Sequence, residues 1–121
     1  MTATEQATQL TGVMARAAAS KLGQDIVAMD VSQPLVIADV FLLVSASNER
    51  QIGAIVDAIE EAALANGGRP PRREGRAENR WVLLDFYDVI VHVMQTDYRQ
   101  LYSLERLWKD VPRVPTGIEP E

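Results

Sequence analysis

Residues 80–95 have the sequence RWVLLDFYDVIVHVMQ, and this stretch decides the fold of the chain. Two runs of aliphatic, β-branched and aromatic residues flank a short break, a pattern typical of two antiparallel strands joined by a tight turn. We expect Asp85 and Asp88 to be the last paired residues and Phe86 and Tyr87 to form the loop between them. The rest of the sheet is then built outward from this hairpin.

The hairpin has two faces of different character, because side chains alternate along a strand. One face is wholly apolar, and we expect it to lie on the core. Its residues are Val82, Leu84, Val89, Val91 and Val93. The residues of the other, mixed face are Trp81, Leu83, Asp85, Asp88, Ile90, His92 and Met94. An apolar centre with charged residues at its rim is typical of a surface that docks another protein.

Length and charge restrict the class of protein. The chain has 121 residues, the size of one ordinary domain, and a net charge of −5. An acidic protein is repelled by phosphates, which argues against a general nucleic-acid binder. No cysteine is present, which rules out a disulfide framework and a thiolate metal site. We see no secretory leader and no apolar stretch long enough to cross a bilayer, and we therefore expect a soluble cytoplasmic protein with no membrane contact.

The hydrophobic pattern predicts the remaining elements in order. A helix is predicted over residues 2–22, with Thr4 as its N-cap and Gly23 as its stop. Its expected buried stripe is Leu10, Val13, Met14, Ala17, Ala18, Lys21 and Leu22. One strand is predicted at residues 25–31 and a second within residues 35–46, centred on residues 40–44. The second is apolar enough to be an interior strand.

A second helix is predicted to begin at Ser47 or Asn48 and to end at residues 66–68. Its expected buried stripe is Ile52, Ile55, Val56, Ile59 and Ala63. An edge strand is predicted to begin at Pro70-Pro71. A short helix is predicted over residues 98–109, with Asp97 as its N-cap. Its expected apolar contacts are Leu101, Tyr102, Leu104, Leu107 and Trp108. Trp108 is expected to fill the core.

This order of elements indicates an α+β fold with one sheet, helices packed on one face and an open outer face. We place a single domain at residues 1–110. Residues 111–121 contain three prolines and no periodicity, and we expect them to form a flexible C-terminal tail. Residues 69–80 carry five arginines beside Glu74 and Glu78, a composition typical of a solvated loop or of contacts with RNA or a partner.

Several short motifs, taken together and in order, resemble the ribosomal silencing factor family, also called Iojap or RsfS. The motifs are DVFLLVSAS at 39–47, NERQ at 48–51, EG at 74–75, WVLLD at 81–85, DVIVHV at 88–93 and YSLERLW at 102–108. The resemblance covers about residues 22–108. The chain departs from the family at Ala46 and Tyr87, where glycine is common.

The resemblance implies a mixed-sheet fold similar to the nucleotidyltransferase core. It implies that the chain binds large-subunit ribosomal protein number fourteen and blocks joining of the small and large subunits. Translation would then be repressed during nutrient shortage or stationary phase. The resemblance also implies a homodimer when free, and it leaves open minor contacts with ribosomal RNA.

We predict a partner-binding surface centred on the mixed face of the hairpin. Its candidate residues are Trp81, Leu83, Asp85, Asp88, Ile90, His92, Met94, Glu74, Tyr98, Arg99, Tyr102 and Glu105. Tryptophan is enriched among interface hot spots, and the carboxylates can meet basic residues of a partner. The alternative for the carboxylates is a solvated rim, and for His92 a structural role in its strand.

Two other functions stay open, a divalent-metal nucleotidyltransferase and a homodimeric scaffold. Nucleotidyl transfer needs clustered carboxylates that hold a metal beside a small-residue turn. Residues 45–47 (Ser-Ala-Ser) can mimic that turn, but no Asp-x-Asp pair follows them. The other candidate carboxylates are separated, since Asp85 and Asp88 lie across a turn and Asp30 and Asp39 flank a loop. His92 is the only histidine, which argues against a zinc site. We therefore expect no catalytic residue, no metal and no cofactor.

Overall fold

The sheet of this protein is mixed and five-stranded. The computed structural model describes residues 3–35 and 37–118. Its elements are α1 (Glu5–Ser20), β1 (Gln24–Asp30), β2 (Val40–Ala46), α2 (Glu49–Ala65), β3 (Arg72–Glu74), β4 (Trp81–Asp85), β5 (Val89–Gln95), α3 (Thr96–Tyr102) and α4 (Leu104–Leu107). The strand order is β1-β2-β5-β4-β3, with β2 and β5 parallel and the other neighbours antiparallel. The predicted α+β fold with one mixed sheet is confirmed.

Side-chain caps start the two long helices where the sequence predicts. The Thr4 hydroxyl accepts a hydrogen bond from the Ala7 N–H at 3.1 Å, and the Asn48 carbonyl oxygen of the side chain accepts one from the Gln51 N–H at 2.9 Å. Each bond satisfies a backbone donor that has no partner within the helix. Both helices therefore begin at defined residues. Their buried residues belong to the same core cluster, on one face of the sheet.

The buried stripe of α2 is confirmed, and that of α1 is partly wrong. All five predicted residues of α2 are fully buried. In α1 the buried residues are Ala7, Thr11, Gly12, Met14, Ala15 and Ala18, whereas Leu10 and Val13 are half-buried and Leu22 is exposed. Most buried positions of α1 hold small residues, so the stripe follows alanine and glycine rather than the larger aliphatic residues.

The hairpin faces are confirmed, although its register differs from the prediction. Asp85 pairs with Ile90 and not with Asp88, and the loop is Tyr87-Asp88. The ring of Phe86 is buried in the core, and its N–H donates to the Val89 carbonyl at 2.9 Å, so pairing continues past Asp85. The register moves by two residues, and an even shift keeps every side chain on its face. The five residues of the apolar face are fully buried.

The other sheet face is partly covered by the C-terminal region. The predicted helix over residues 98–109 is two short helices, because Ser103 has a φ of +41° and interrupts the helical path. The N-cap of α3 is Gln95, so the prediction of Asp97 is wrong. Trp108 is half-buried and packs with its neighbours over Met29 and Leu43 on this second face.

Residues 111–118 lie against β1 instead of forming a detached tail. The Asp30 N–H donates to the Pro112 carbonyl at 2.8 Å, and the Val114 N–H donates to the Ala28 carbonyl at 2.9 Å. The Val114 side chain is buried in the core. The prediction of a flexible tail is therefore wrong for this part. The described residues do not include residues 119–121 of the predicted tail. They also do not include the predicted helix start at residue 2 or position 36 in the region predicted to contain the second strand.

The predicted edge strand exists as β3, which follows Pro70-Pro71 and pairs only with β4 among the described strands. Within the described residues, the helices are all too short or too polar to span a bilayer.

Candidate partner-binding surface

The second sheet face is divided into a covered part and an accessible part. α3 follows β5 directly and folds back over the end of that strand, so Met94 is fully buried and His92 is 6% exposed. The expectation that both side chains are accessible is wrong for this structure. The accessible part lies over β4 and the starts of β5 and β2, beside the end of α3.

Five residues form this accessible part, which we call the outer patch. They are Phe41, Trp81, Leu83, Ile90 and Tyr102. The first four are half-buried and Tyr102 is exposed. Phe41 is the register neighbour of Ile90 in the parallel β2–β5 pair, and the Trp81 and Tyr102 ring centroids are 5.0 Å apart. The outer patch is therefore a continuous apolar surface with aromatic residues at both ends.

A hydrogen bond connects the outer patch to the buried histidine. The Trp81 Nε1–H donates to Nδ1 of His92 at 3.1 Å, and the Phe41 and His92 rings meet edge to face at 5.0 Å. Because the indole is only a donor, Nδ1 is the acceptor and the proton of a neutral imidazole lies on Nε2. Among the described residues, Nε2 has no hydrogen-bond partner. Burial and the nearby positive charge of Arg99 lower the pKa of His92 to about 4.

Carboxylates lie at one edge of the outer patch. Glu74 on β3 is exposed and pairs in register with Leu83, and half-buried Asp85 pairs with Ile90. Oδ1 of Asp85 accepts a hydrogen bond from the Tyr87 N–H at 2.8 Å, which holds the hairpin turn. The Asp88 side chain is exposed at the same turn. These three predicted residues are accessible, as expected for an acidic rim.

Arg99 has a different place from the one predicted, and half-buried Glu105 lies beside it. Arg99 is 5% exposed, and its guanidinium makes two hydrogen bonds to Glu105, at 2.9 and 3.0 Å. Burial alone would raise the pKa of the Glu105 carboxyl, but the hydrogen bonds and charge of Arg99 outweigh it and keep that pKa below its ordinary value. Arg99 is inaccessible to a partner in this structure. Half-buried Tyr98 borders Tyr102, with ring centroids 6.1 Å apart.

Comparison with known proteins identifies the family of this chain. The profile of the RsfS family, described as "Ribosomal silencing factor during starvation", matches residues 4–121. The chain belongs to the ribosomal silencing factor family. The ribosomal silencing factor RsfS of Bacillus subtilis is 40% identical over 100 residues, which are 83% of this chain and 85% of that protein. The predicted resemblance is thus confirmed.

Two crystal structures have the same fold as this member of the family. A protein from Chromobacterium violaceum superposes with a TM-score of 0.80 at 26% identity, over 93% of this chain and 88% of that one. A protein from Bacillus halodurans superposes with a TM-score of 0.75 at 33% identity, over 93% of this chain and 99% of that one.

The residues considered for nucleotidyl transfer have structural partners in this family member. Ser45 is buried against Arg99, and Ser47 donates to the Gln51 side-chain oxygen at 3.2 Å. Asp30 and Asp39 accept hydrogen bonds from backbone N–H groups that lead into α1. Over residues 3–35 and 37–118, no three His, Asp or Glu side chains are grouped closely enough to hold a metal ion.

The arginine-rich loop is partly neutralised by α2. Arg73 pairs with Glu60, and Arg76 pairs with Asp57 at 3.1 Å. Both pairs lie at the surface and contribute little to stability. The loop is therefore less basic than its composition indicates.

Phe41 is not among the predicted surface residues, because it lies in a continuous apolar run in which the two faces of the strand have the same character. Its alternation with Leu42 and its position beside the mixed face of β5 are the signal that could have found it.

Proposed function

We propose that this ribosomal silencing factor binds the large ribosomal subunit through ribosomal protein number fourteen and sterically blocks joining of the small subunit. Translation is thereby repressed during nutrient shortage or stationary phase. The factor acts in the cytoplasm, where subunits join, and its action requires no catalysis and no cofactor. Membership in the ribosomal silencing factor family supports this proposal, and the outer patch is the observation that carries it.

The composition of the outer patch suits a protein partner. Phe41, Trp81 and Tyr102 supply large, rigid contact surfaces, and tryptophan and tyrosine are enriched among interface hot spots. The acidic rim of Glu74 and Asp85 suits a basic partner. A ribosomal protein neutralises RNA phosphates and is rich in lysine and arginine, so the two surfaces are complementary in charge.

The arginine-rich loop offers a minor contact with ribosomal RNA. Arg69 and Arg72 are exposed, and neither forms an ion pair with a described residue. A net charge of −5 keeps such contacts secondary to the protein interface.

We also propose that the free protein forms a homodimer through the same patch. Half-buried aromatic and aliphatic side chains lose unfavourable contact with water when a second copy covers them. A dimer that uses the outer patch must compete with the ribosomal partner, because each covers the same side chains. Dissociation of the dimer then precedes or accompanies binding to the large subunit.

Cosedimentation with separated ribosomal subunits tests this proposal. We expect the wild-type protein to pellet with large subunits and not with small ones. Leu83→Glu places a charge in the outer patch and should abolish pelleting. Leu64→Glu makes the same chemical change at an exposed leucine of α2 and should pellet like the wild type. Equal pelleting with both subunits, lost as salt rises, would indicate nonspecific charge attraction and contradict the proposal.

A further inference from the structure

A buried arginine joins four separate elements beneath the C-terminal helices. Arg99 of α3 donates to the Ser45 hydroxyl at the end of β2 at 2.8 Å and to the Asp25 carbonyl in β1 at 2.7 Å. Its two hydrogen bonds to Glu105 of α4 form a bidentate pair, the strongest geometry for arginine and a carboxylate. The guanidinium thus ties both short helices to the sheet.

The helices need such an anchor. α3 has 7 residues and α4 has 4, and helices this short are unstable without tertiary contacts. Ser103 joins them in the left-handed region, with a φ of +41°, where a non-glycine residue is strained. The Arg99–Glu105 pair spans this joint from one helix to the other. Leu104 and Trp108 pack α4 on the second sheet face, and the pair adds a polar link from α4 to α3 across the joint.

The anchored helices display apolar side chains to solvent. Leu101, Tyr102 and Leu107 are 73%, 53% and 72% exposed, and we call these three residues the apolar ridge. Tyr102 also belongs to the outer patch, through its contact with Trp81. The ridge therefore extends the outer patch beyond the sheet. Leu101 and Leu107 were expected to be packing contacts of a single helix, and their exposure contradicts that expectation.

We propose that Arg99 and Glu105 form a latch that positions the apolar ridge for docking to the large-subunit partner. This inference rests on the proposed function and assigns Arg99 as a positioning residue, since it is too buried to touch a partner. A closed latch orders the ridge before binding. An open latch leaves only a fraction of molecules competent to bind, and the measured affinity falls by that fraction.

Hydrogen exchange in the absence of ribosomes tests the latch itself. Arg99→Met removes the donors but keeps an aliphatic chain, and Glu105→Ala removes the acceptor. We expect amides of residues 96–107 to exchange about tenfold faster in both variants, with β2 and β5 unchanged. Glu105→Gln keeps one acceptor and should recover part of the protection. Arg106→Ala removes a neighbouring exposed charge of α4 and should leave exchange unchanged. Unchanged exchange in Glu105→Ala would overturn the latch.

Large-subunit binding tests the positioning role. Arg99→Met and Glu105→Ala should each weaken affinity about tenfold, and Arg106→Ala should not. The double variant Arg99→Met/Glu105→Ala should bind no more weakly than the weaker of the two single variants, because both changes open the same latch. If Glu105→Ala weakens binding but folded Arg99→Met does not, Glu105 touches the partner directly and the inference is wrong. Faster exchange with unchanged affinity would also overturn it. If Arg99→Met fails to fold, Glu105→Ala and Glu105→Gln test the positioning role instead. Affinity that falls in step with faster exchange in these two variants supports the latch, and affinity that changes independently of exchange overturns it.

Failure of the proposed function gives a different result. The wild-type protein would then bind no large subunits, whereas the exchange experiment would still show whether the latch holds α3 and α4.

Discussion

The Trp81 indole donates its Nε1–H to Nδ1 of His92 at 3.1 Å, across the β4–β5 pair. One partner of this bond belongs to the outer patch, and the other is buried beneath the C-terminal helices. The bond fixes the tautomer of His92 and restrains the indole, whose ring packs on Tyr102. A residue assigned to docking is thus held in place by a titratable group in the interior.

The free energy of unfolding should decrease as the pH is lowered from neutrality to about 4, because of His92. Its pKa is 6.5 in an unfolded chain and about 4 in the fold, so within this window the unfolded state binds a proton that the folded state does not. The free energy of unfolding is therefore highest above pH 6.5 and should drop by about 2 kcal/mol from pH 7.5 to 5. Urea unfolding at both values measures the drop.

His92→Gln is the control for this pH dependence, because glutamine can accept from the Trp81 indole but does not titrate. The variant should lose most of the drop between pH 7.5 and 5. Glu105, whose pKa is lowered, loses its stabilising charge only below its ordinary value of 4.5 and so acts in a lower window. An equal drop in His92→Gln would show that other groups cause it.

The two faces of the hairpin should respond differently to charge. Val91→Asp and Met94→Asp each place an unpaired carboxylate at a fully buried position and should unfold the domain, at a cost above about 4 kcal/mol. Leu83→Asp lies at a half-buried position of the outer patch and should keep the fold. Circular dichroism melts compare the three variants. A cooperative melt of Met94→Asp near the wild-type temperature would contradict the covering of that strand by α3.

Tyr87→Gly should stabilise the domain by about 1 kcal/mol. Tyr87 has a φ of +76° and lies at the centre of a three-residue turn, which the Asp88 N–H closes on the Phe86 carbonyl at 3.1 Å. Glycine adopts this backbone conformation without steric cost, and the exposed tyrosine ring gives up little packing. Thermal unfolding measures the gain, with Tyr87→Ala as the control that keeps a Cβ. A loss of stability in Tyr87→Gly would mean that the ring contributes more than the strain costs.

The faces of the hairpin could be predicted because they depend only on the parity of the register. The loop could not, because its position depends on whether Phe86 enters the core, which alternation alone does not determine. The stripe of α2 could be predicted because its large aliphatic residues recur at helical spacing. In α1, alanines lie on several sides of the helix, so their spacing alone does not show which of them are buried.

The candidate surface could be predicted in part. Trp81, Leu83 and Ile90 are accessible as expected, but His92 and Met94 are covered by a helix whose position no local pattern reveals. Arg99 illustrates the same difficulty. An arginine in a helix is usually exposed, and this one is buried because it bonds to Ser45 and Asp25, which are distant in sequence, as well as to Glu105.

Self-association should depend on the outer patch. We expect the wild-type protein and Leu64→Glu to be dimers by light scattering at high micromolar concentration, and Leu83→Glu to be a monomer, because a charge in a buried apolar interface is unpaired. A monomeric wild-type protein would contradict the proposed dimer. A dimeric Leu83→Glu would place the dimer interface elsewhere and remove the reason for competition with the ribosome.

Subunit joining, followed by light scattering after large subunits are incubated with the factor, tests steric exclusion most directly. Steric exclusion predicts that the extent of subunit joining decreases in proportion to the added factor. Joining should stop when about one factor is present per large subunit. The result should be the same after short and long incubation, and preformed whole ribosomes should resist the factor. Inhibition by trace amounts of factor that deepens with time, or undiminished joining on large subunits saturated with factor, would contradict the account.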